Sequence, residues 1–250
     1  MIIIKSAAEI EKLRVAGRMV AEILGMIRAR VRPGVTTLEL DRLAEKQCLK
    51  WKARPAFKGY GGFPCTICAS PNEQIVHGFA TSEPLKEGDI LSVDFGLIYD
   101  GFYGDSAITI PVGEIAAETG RLLQVTQESL ACGIAKACSG GRLSDISNAV
   151  QTHVEADGFS IVREFVGHGI GRQLHEEPQI PNYGVPGRGP QLKAGMCFAI
   201  EPMVNVGAPG VKVLDDGWTA VTVDGELSAH FEHSIVITDN GPEILSRLDS

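Results

Sequence analysis

The chain has 250 residues, of which 44% are hydrophobic, and its formal net charge is −8. This length and apolar content predict one large domain or two small ones with a sizeable core. An acidic chain with scattered basic residues is not typical of nucleic-acid-binding proteins, and no apolar stretch reaches the roughly 20 residues that span a bilayer. The apolar start is too short for a signal peptide, so we expect a cytoplasmic protein.

The first third of the chain is predicted to form two helices. Ser6-Ala7-Ala8-Glu9 has the capping-box pattern, and apolar residues follow it at helical spacing until Pro33-Gly34. A second, shorter helix begins near Thr36. Residues 1–5, which precede the first helix, include three isoleucines and predict an edge strand.

The rest of the chain predicts strands and then a repeat of the same plan. Residues 90–99 and 102–112 flank Asp100-Gly101, which is a strong hairpin signal. The second half predicts helices over 121–137 and 143–156, then strands over 159–165, 196–200, 218–223 and 228–238. A shift of 106 residues aligns the helix ends of the two halves and nearly superposes Asp94 on Glu201. We therefore expect one α+β domain over residues 1–250, with duplicated helix-helix-strands halves related by a pseudo-twofold axis around a central antiparallel sheet.

Five side chains are the strongest candidates for chemistry, because four of them are acids in strand-like, apolar surroundings. They are Asp94, Asp105, His168, Glu201 and Glu232. Strands are depleted in Asp, and a buried carboxylate needs a compensating partner. Four carboxylates in one pocket would repel unless cations lay between them. Two divalent ions would remove that conflict and activate a water molecule, so the residues predict a two-metal hydrolase.

Other motifs fit rival chemistries less well. Cys65-Thr66-Ile67-Cys68 lacks the second pair of a zinc ribbon and the helix of a thioredoxin-like site, so we interpret it as reduced thiols facing core or pocket. The glycines around His168 lack the dinucleotide-binding spacing, and His175-Glu176-Glu177-Pro178 does not continue as H-E-x-x-H. Four carboxylates and an imidazole suit Mn(II), Fe(II) or Co(II) better than structural zinc.

These residues occur in motifs that resemble those of the type I methionine aminopeptidases, which have the pita-bread fold. The resemblance covers essentially the whole chain and is carried by Asn72-Glu73-x-x-x-His77-Gly78, Val93-Asp94, Asp100-Gly101-x-x-Gly104-Asp105, Gly167-His168-Gly169-Ile170-Gly171-x-x-x-His175-Glu176-Glu177-Pro178, Ile200-Glu201-Pro202-Met203, Asp216-Gly217-Trp218 and Glu232-His233. It implies an enzyme that removes the N-terminal methionine from nascent proteins and peptides when the second residue is small. In such enzymes a hydroxide that bridges two metal ions attacks the first peptide carbonyl.

The resemblance also implies a role for each site residue. The five candidates would bind the metals, with Asp105 and Glu232 bridging them and Glu201 also carrying a proton from the attacking water. His77 and His175 would contact the substrate, His175 at the scissile carbonyl. The methionine pocket would be lined by Tyr60, Phe63, Cys68, Met203 and Trp218. The chain departs from many relatives at Phe57, Phe63 and Leu174, which affects the detail of the pocket.

The ligands and partners implied by the resemblance are two divalent ions, namely Co, Mn or Fe(II), with Zn or Ni as alternatives, and a monovalent cation near Asn72 and Ser228. Nascent polypeptide N-termini are the expected substrates, which would bring the protein near ribosomes. A monomer is the simplest state, and neither nucleic-acid specificity nor a membrane is expected.

Two alternatives stay open. An Xaa-Pro aminopeptidase or prolidase would use the same scaffold, although those relatives usually carry a separate N-terminal domain. A binding module that had lost catalysis would also keep the fold, but it would have lost metal ligands.

Overall fold

The structure is a computed structural model that describes residues 1–248. Within these residues it has four α-helices, a short 3-10 helix at Tyr60–Gly62 and fifteen strands. The helices are α1 (Ala7–Arg28), α2 (Thr37–Lys50), α3 (Ala117–Lys136) and α4 (Leu143–Ala156). The strands are β1 (Arg54–Pro55), β2 (Cys68–Pro71), β3 (Gln74–Val76), β4 (Ile90–Tyr99), β5 (Phe102–Pro111), β6 (Ser160–Ile161), β7 (Gly167–Gly169), β8 (Glu176–Ile180), β9 (Cys197–Ile200), β10 (Met203–Asn205), β11 (Val211–Val213), β12 (Ala220–Thr222), β13 (Ser228–His230), β14 (His233–Thr238) and β15 (Gly241–Ile244).

Helices α1 and α2 begin where their capping residues predict, whereas α3 has no side-chain cap and begins at Ala117, before the predicted start at residue 121. Ser6 and Glu9 form a reciprocal capping box at the start of α1, and Thr36 and Glu39 form another at the start of α2. Each half of the chain has a long helix, then a 14-residue helix, then strands. The predicted helix-helix-strands plan and the α+β class are therefore confirmed. No helix in residues 1–248 is long and apolar enough to cross a membrane.

The hairpin of β4 and β5 has the predicted turn. Ten residue pairs join the strands, from Ile90 opposite Pro111 to Tyr99 opposite Phe102. Asp100 and Gly101 both have positive φ, which matches the right-handed twist of the strands on either side. The turn fixes the register, so Asp105 lies opposite Gly96 and Asp94 lies opposite Ala107.

The strands form four sheets, and the two largest meet at the centre of the molecule. One contains β1, β4, β2 and β5, and the other has the order β15-β14-β9-β7-β8; all pairings in both are antiparallel. The backbone N–H of Glu232 donates to the Ala107 carbonyl at 2.9 Å, and the Ser106 hydroxyl donates to the Glu232 carbonyl at 2.6 Å. The Ser234 hydroxyl donates to the Asp105 carbonyl at 2.7 Å. We call this contact the β5–β14 seam.

Helix α1 packs against β5 close to Asp105. A Cβ on Gly104 would lie 2.6 Å from the Ala16 carbonyl carbon and 2.9 Å from the Gly17 backbone nitrogen. Only a glycine allows the helix backbone this close, so Gly104 sets the distance between α1 and the strand that carries Asp105.

Three predicted strands differ most from the structure, and the strand predicted over 218–223 is observed only over residues 220–222. Residues 1–5 form no strand, although the Lys5 backbone N–H donates to the Gly195 carbonyl at 2.8 Å. The strand predicted over 159–165 shrinks to β6. The strand predicted over 228–238 is broken at Phe231 and Glu232, because the Glu232 N–H pairs across the seam with β5 instead of continuing one ladder.

Candidate active site

The five candidate ligands converge at the seam from both halves of the chain. Asp94 is in β4, Asp105 in β5 and His168 in β7, while Glu201 directly follows β9 and Glu232 lies between β13 and β14. Ligand atoms of Asp105, His168 and Glu232 all lie within 4.8 Å of one another. The Nε2 atom of His168 is 3.9 Å from Asp105 Oδ2 and 3.5 Å from Glu201 Oε1.

His168 is oriented by its own backbone. Its Nδ1 atom lies 2.9 Å from the Gly169 carbonyl oxygen. Since a carbonyl only accepts hydrogen bonds, Nδ1 carries the hydrogen and Nε2 offers its lone pair toward the carboxylates. This is the arrangement that fixes the tautomer of a metal-binding histidine.

The carboxylates raise one another's pKa. Burial is the main cause for Asp94, Glu201 and Glu232, whose pKa values lie well above the ordinary range, and the charges of neighbouring carboxylates add to it. Burial also raises the pKa of Asp105 to about 7. In the absence of a cation, this cluster holds protons at a pH where ordinary carboxylates are ionised.

Three carboxylate oxygens of the cluster are buried without a hydrogen-bond partner among the residues that the structure describes: Asp94 Oδ1, Asp105 Oδ1 and Glu232 Oε1. Buried polar atoms without partners are rare in folded proteins. Divalent cations would satisfy these oxygens and cancel the repulsion. The oxygen-rich donor set with one imidazole therefore fits divalent metal ions.

A cavity of about 240 Å³ opens beside the carboxylates. It is lined by Tyr60, Phe63, Cys68 and Trp218, four of the five residues expected around the methionine side chain, and by the five candidate ligands. The Phe63 and Trp218 rings meet edge to face, with centroids 5.2 Å apart. The remaining lining residues are Phe57, Val76, His77, Phe165, Val166, Leu174 and His175. The cavity thus joins an apolar, aromatic wall to a strongly acidic end.

Met203 lies outside the residues that line this cavity. It is fully buried in β10 and packs in a cluster with Val76 and Phe165. It therefore supports the wall from behind. The lining residues Val76 and Phe165 belong to no motif of their own, although Val76 directly precedes His77 and Phe165 lies three residues before His168.

The two predicted substrate histidines lie in the cavity wall. The Tyr60 hydroxyl is 2.9 Å from His175 Nδ1, and the His175 and His168 ring centroids are 4.4 Å apart. Burial lowers the pKa of His77 to about 4, and partial desolvation also lowers the pKa of His175. Both rings are therefore neutral near pH 7, and each can donate one hydrogen bond. His77 has a φ of 61°, an uncommon backbone conformation of the kind found at functional sites.

Two further predictions concern Asn72 and the cysteines. The Ser228 backbone N–H donates to the Asn72 carbonyl at 3.0 Å, so the two residues predicted to flank a monovalent cation are in contact.

All six cysteines are free thiols. Cys68 faces the cavity from β2, and Cys65 accepts a hydrogen bond from the Ala80 N–H at 3.4 Å. The interpretation of the C-x-x-C pattern as thiols facing core or pocket is consistent with these positions.

Comparison with known proteins gives matches along almost the whole chain. The sequence profile of metallopeptidase family M24 matches residues 11–239. A methionine aminopeptidase from Clostridium perfringens is 55% identical over 98% of this chain and 99% of its own length. Methionine aminopeptidase 1 from Bacillus subtilis is 53% identical over 99% of this chain and 100% of its own. The crystal structure of a methionine aminopeptidase from Thermotoga maritima superposes with a TM-score of 0.97, at 50% identity, and covers 99% of this chain and 100% of that one.

Proposed function

Because the chain belongs to metallopeptidase family M24, and within it to the methionine aminopeptidases, we propose that five of its residues bind the metal ions with which it removes N-terminal methionine. These residues are Asp94, Asp105, His168, Glu201 and Glu232. The observation that carries the proposal is the cluster of buried ligand atoms, three of which are carboxylate oxygens without any hydrogen-bond partner in residues 1–248.

The donor set supports two divalent ions, Co, Mn or Fe(II), with Zn or Ni as alternatives. Bound there, such ions would polarise the scissile carbonyl and lower the pKa of a water molecule toward neutrality. Asp105 and Glu232 reach the cluster from opposite sides of the seam, and their ligand atoms lie within 4.8 Å of each other, so both carboxylates would hold the ions together.

The cavity binds the methionine side chain. Its wall of Tyr60, Phe63, Cys68 and Trp218 offers aromatic rings and a sulfur, against which a thioether packs well. The acidic end of the cavity attracts the free amino group of the substrate. This juxtaposition selects the N-terminal residue and so accounts for exopeptidase action.

The remaining residues handle the peptide bond. His175 donates a hydrogen bond to the scissile carbonyl oxygen as negative charge develops there, and the Tyr60 hydroxyl holds the His175 ring through Nδ1. His77 contacts the amide that follows. Glu201 takes a proton from the attacking water and delivers it to the leaving nitrogen, a role open to a carboxylate that lines the cavity beside the other ligands.

Several finer assignments rest on the resemblance to relatives. We assign nascent chains with a small second residue as the substrates, and a monovalent cation to the contact between Asn72 and Ser228. We also assign the protein to the cytoplasm as a monomer that acts near ribosomes. Light scattering after size-exclusion chromatography tests the monomer, and co-sedimentation with ribosomes tests the proximity.

The test of the proposed chemistry is mass spectrometry of three peptides, Met-Gly-x, Met-Leu-x and x-Pro-x, incubated with the protein and Mn(II) or Co(II). A chelated sample is the control. Metal-dependent loss of methionine from Met-Gly-x alone is the expected result. Cleavage of x-Pro-x would assign the site to a proline-directed peptidase, and metal binding without cleavage would favour a binding module.

A further inference from the structure

We propose that the buried ion pair between Lys5 and Glu176 positions His175. Through Lys5, the segment preceding α1 would then contribute to the geometry of the active site. The inference rests on the role that we propose for His175 at the scissile carbonyl. Lys5 lies 171 residues before its partner in sequence, and Glu176 directly follows His175.

The ion pair is unusual for its burial. The Lys5 ammonium donates to Glu176 Oε2, and the two side chains are 2% and 6% exposed. The ion pair between Lys12 and Asp100, by contrast, has side chains that are 43% and 61% exposed. Because desolvation of two charges offsets most of their attraction, a buried ion pair adds little net stability, and a hydrophobic pair often packs as well. A role in positioning explains its presence better than a role in stability.

Glu176 uses its second oxygen to hold the backbone before His175. The N–H groups of Arg172 and Gln173 donate to Oε1 at 2.8 and 3.3 Å. The same loop is held at its start, where the Tyr103 N–H donates to the Gly171 carbonyl at 2.9 Å. The Glu176 carboxylate therefore closes the turn that precedes His175, and Glu176 itself directly follows His175. The backbone on both sides of His175 thus depends on this one side chain.

Lys5 is held rigidly enough to fix the position of that carboxylate. Its backbone N–H donates to the Gly195 carbonyl at 2.8 Å, which ties the segment to the loop before β9. A Cβ on Gly171 would lie 2.4 Å from Lys5 Cε and 2.6 Å from Glu176 Oε1. Gly171, the Lys5 side chain and the Glu176 carboxylate are therefore closely packed. A shift in one of them would displace the others.

Loss of the Lys5 charge would leave Glu176 as an uncompensated buried anion. Such a group turns toward water where it can. It would then release the N–H groups of Arg172 and Gln173, and the turn before His175 would lose its closure. A displacement of about 1 Å at a catalytic group costs roughly 100-fold in rate.

The primary experiment compares Lys5→Met with Lys12→Met in steady-state cleavage of a Met-Gly peptide, well below the melting temperature of each variant. For Lys5→Met we expect kcat to fall roughly 10- to 100-fold, with KM within about twofold and metal content unchanged. Lys12→Met, which removes an exposed lysine, should leave both constants within about twofold. An unchanged kcat in Lys5→Met, or loss of its metal, would overturn the proposal.

Two double variants separate positioning from stability and cover the case in which Lys5→Met fails to fold. Lys5→Met with Glu176→Gln has no stranded charge and keeps a carbonyl that can accept from Arg172 and Gln173. Lys5→Met with Glu176→Leu also has no charge but lacks the acceptor. We expect the Gln pair to keep kcat within about fivefold of the unaltered protein and the Leu pair to lose it by roughly 10-fold or more. Equal kcat values in the two pairs would overturn the proposal.

A third comparison tests whether Lys5 acts through His175. In a His175→Ala background, Lys5→Met should lower kcat by less than about twofold, because the group that it positions is gone. The same factor in both backgrounds would overturn the proposal while leaving the role of His175 intact. Full activity of His175→Ala alone would instead remove the role of His175, and with it the premise of the positioning.

Discussion

At the residue scale, the candidate active site contains two histidines whose rings are each held by a hydrogen bond at Nδ1. His175 is bonded to Tyr60 at Nδ1, and its backbone is followed by the buried carboxylate of Glu176. His168 is bonded to the Gly169 carbonyl at Nδ1. In both rings Nδ1 is occupied and Nε2 is not, so hydrogen bonding within the protein would decide which nitrogen meets the proposed substrate or metal.

His175→Ala is expected to lower kcat by about 10²–10³-fold, the cost of removing one well-placed donor to a developing negative charge. Metal content should stay intact, since His175 is not among the proposed ligands. Steady-state kinetics with a Met-Gly peptide and metal analysis of the same sample check this. The control is His153→Ala on α4, which should leave both kcat and metal content unchanged. Loss of metal from His175→Ala would contradict the assigned role.

Asp105→Asn is expected to empty at least one metal position. The amide is uncharged, and one of the buried, unpartnered oxygens of the cluster belongs to this residue. Metal analysis after gel filtration gives the number of ions per chain. The control is Asp100→Asn, which changes the same residue type in the exposed hairpin turn and should keep the full metal content. Full occupancy in Asp105→Asn would remove this residue from the proposed ligand set.

The sequence predicts a candidate site residue where the residue type alone is unusual for its surroundings, as with an acid in an apolar strand. The acids Asp94 and Glu201 are predictable as candidates because a charge in a strand needs an explanation. Met203 is expected in the cavity lining but lies behind it, because a motif names neighbours and does not say which way each side chain points. The contact between Lys5 and Glu176 had no signal at all, because both lie in segments without a periodic pattern.

At the scale of secondary structure, local signals were reliable where a turn or cap determines geometry. Asp100-Gly101 determined the register of β4 and β5, since a two-residue turn leaves no freedom to slip. The break between β13 and β14 could not be predicted in the same way. Glu232 pairs with Ala107, which is remote in sequence, and no pattern within residues 228–238 reports that partner.

Two glycines of α1 give a matched test of how the helix packs. A Cβ on Gly17 would lie 2.5 Å from the Leu245 carbonyl oxygen, whereas a Cβ on Gly25 would meet nothing within 4 Å. Gly17→Ala should therefore lower the free energy of unfolding by about 1–3 kcal/mol through overpacking. Gly25→Ala should raise it by roughly 0.5–1 kcal/mol, because alanine favours the helix. Urea denaturation measures both, and equal shifts of the same sign would contradict the packing of α1 on the C-terminal strand region.

At the scale of the whole molecule, the carboxylate cluster makes the metal-free protein sensitive to pH. In the unfolded chain these carboxylates ionise near pH 4, whereas burial raises the folded pKa of Asp105 to about 7 and those of Asp94, Glu201 and Glu232 well above their usual range. At this cluster the folded state therefore binds more protons than the unfolded state, and the cluster's contribution to the stability of the metal-free protein falls as pH rises. Burial lowers the pKa of five histidines, which contribute with the opposite sign below about pH 6.5, so the cluster alone decides the sign above about pH 7.

Chelated protein is accordingly expected to lose stability from pH 7 to 8, where the histidines are neutral in both states, by on the order of 1 kcal/mol per pH unit for each carboxylate that stays protonated in the fold. Protein reloaded with Mn(II) should show little of this dependence, because the cation stabilises the ionised form. Melting temperatures at pH 5, 6, 7 and 8, with chelator and after reloading, provide the measurement. A chelated protein that became more stable from pH 7 to 8 would contradict the burial of the cluster.

The general architecture was predictable because helix and strand patterns repeat along the chain and the hairpin signal is strong. The division of the strands into four sheets was not. It depends on hydroxyl and backbone bonds such as those of Ser106 and Ser234, which join residues more than a hundred positions apart.

The β5–β14 seam has a consequence for how the molecule responds to its own cofactor. The proposed ligands are carried by both large sheets, so an ion that binds them tightly must favour the state in which the sheets are docked. Linkage is reciprocal: whatever strengthens docking of the sheets tightens the metal, and the metal in turn resists their separation. Hydroxyl contacts such as that of Ser234 with the Asp105 carbonyl, 2.7 Å long, would then tune metal affinity without any coordinating atom of their own. The fraction of chains that hold metal would therefore rise with the fraction in which the two large sheets are docked.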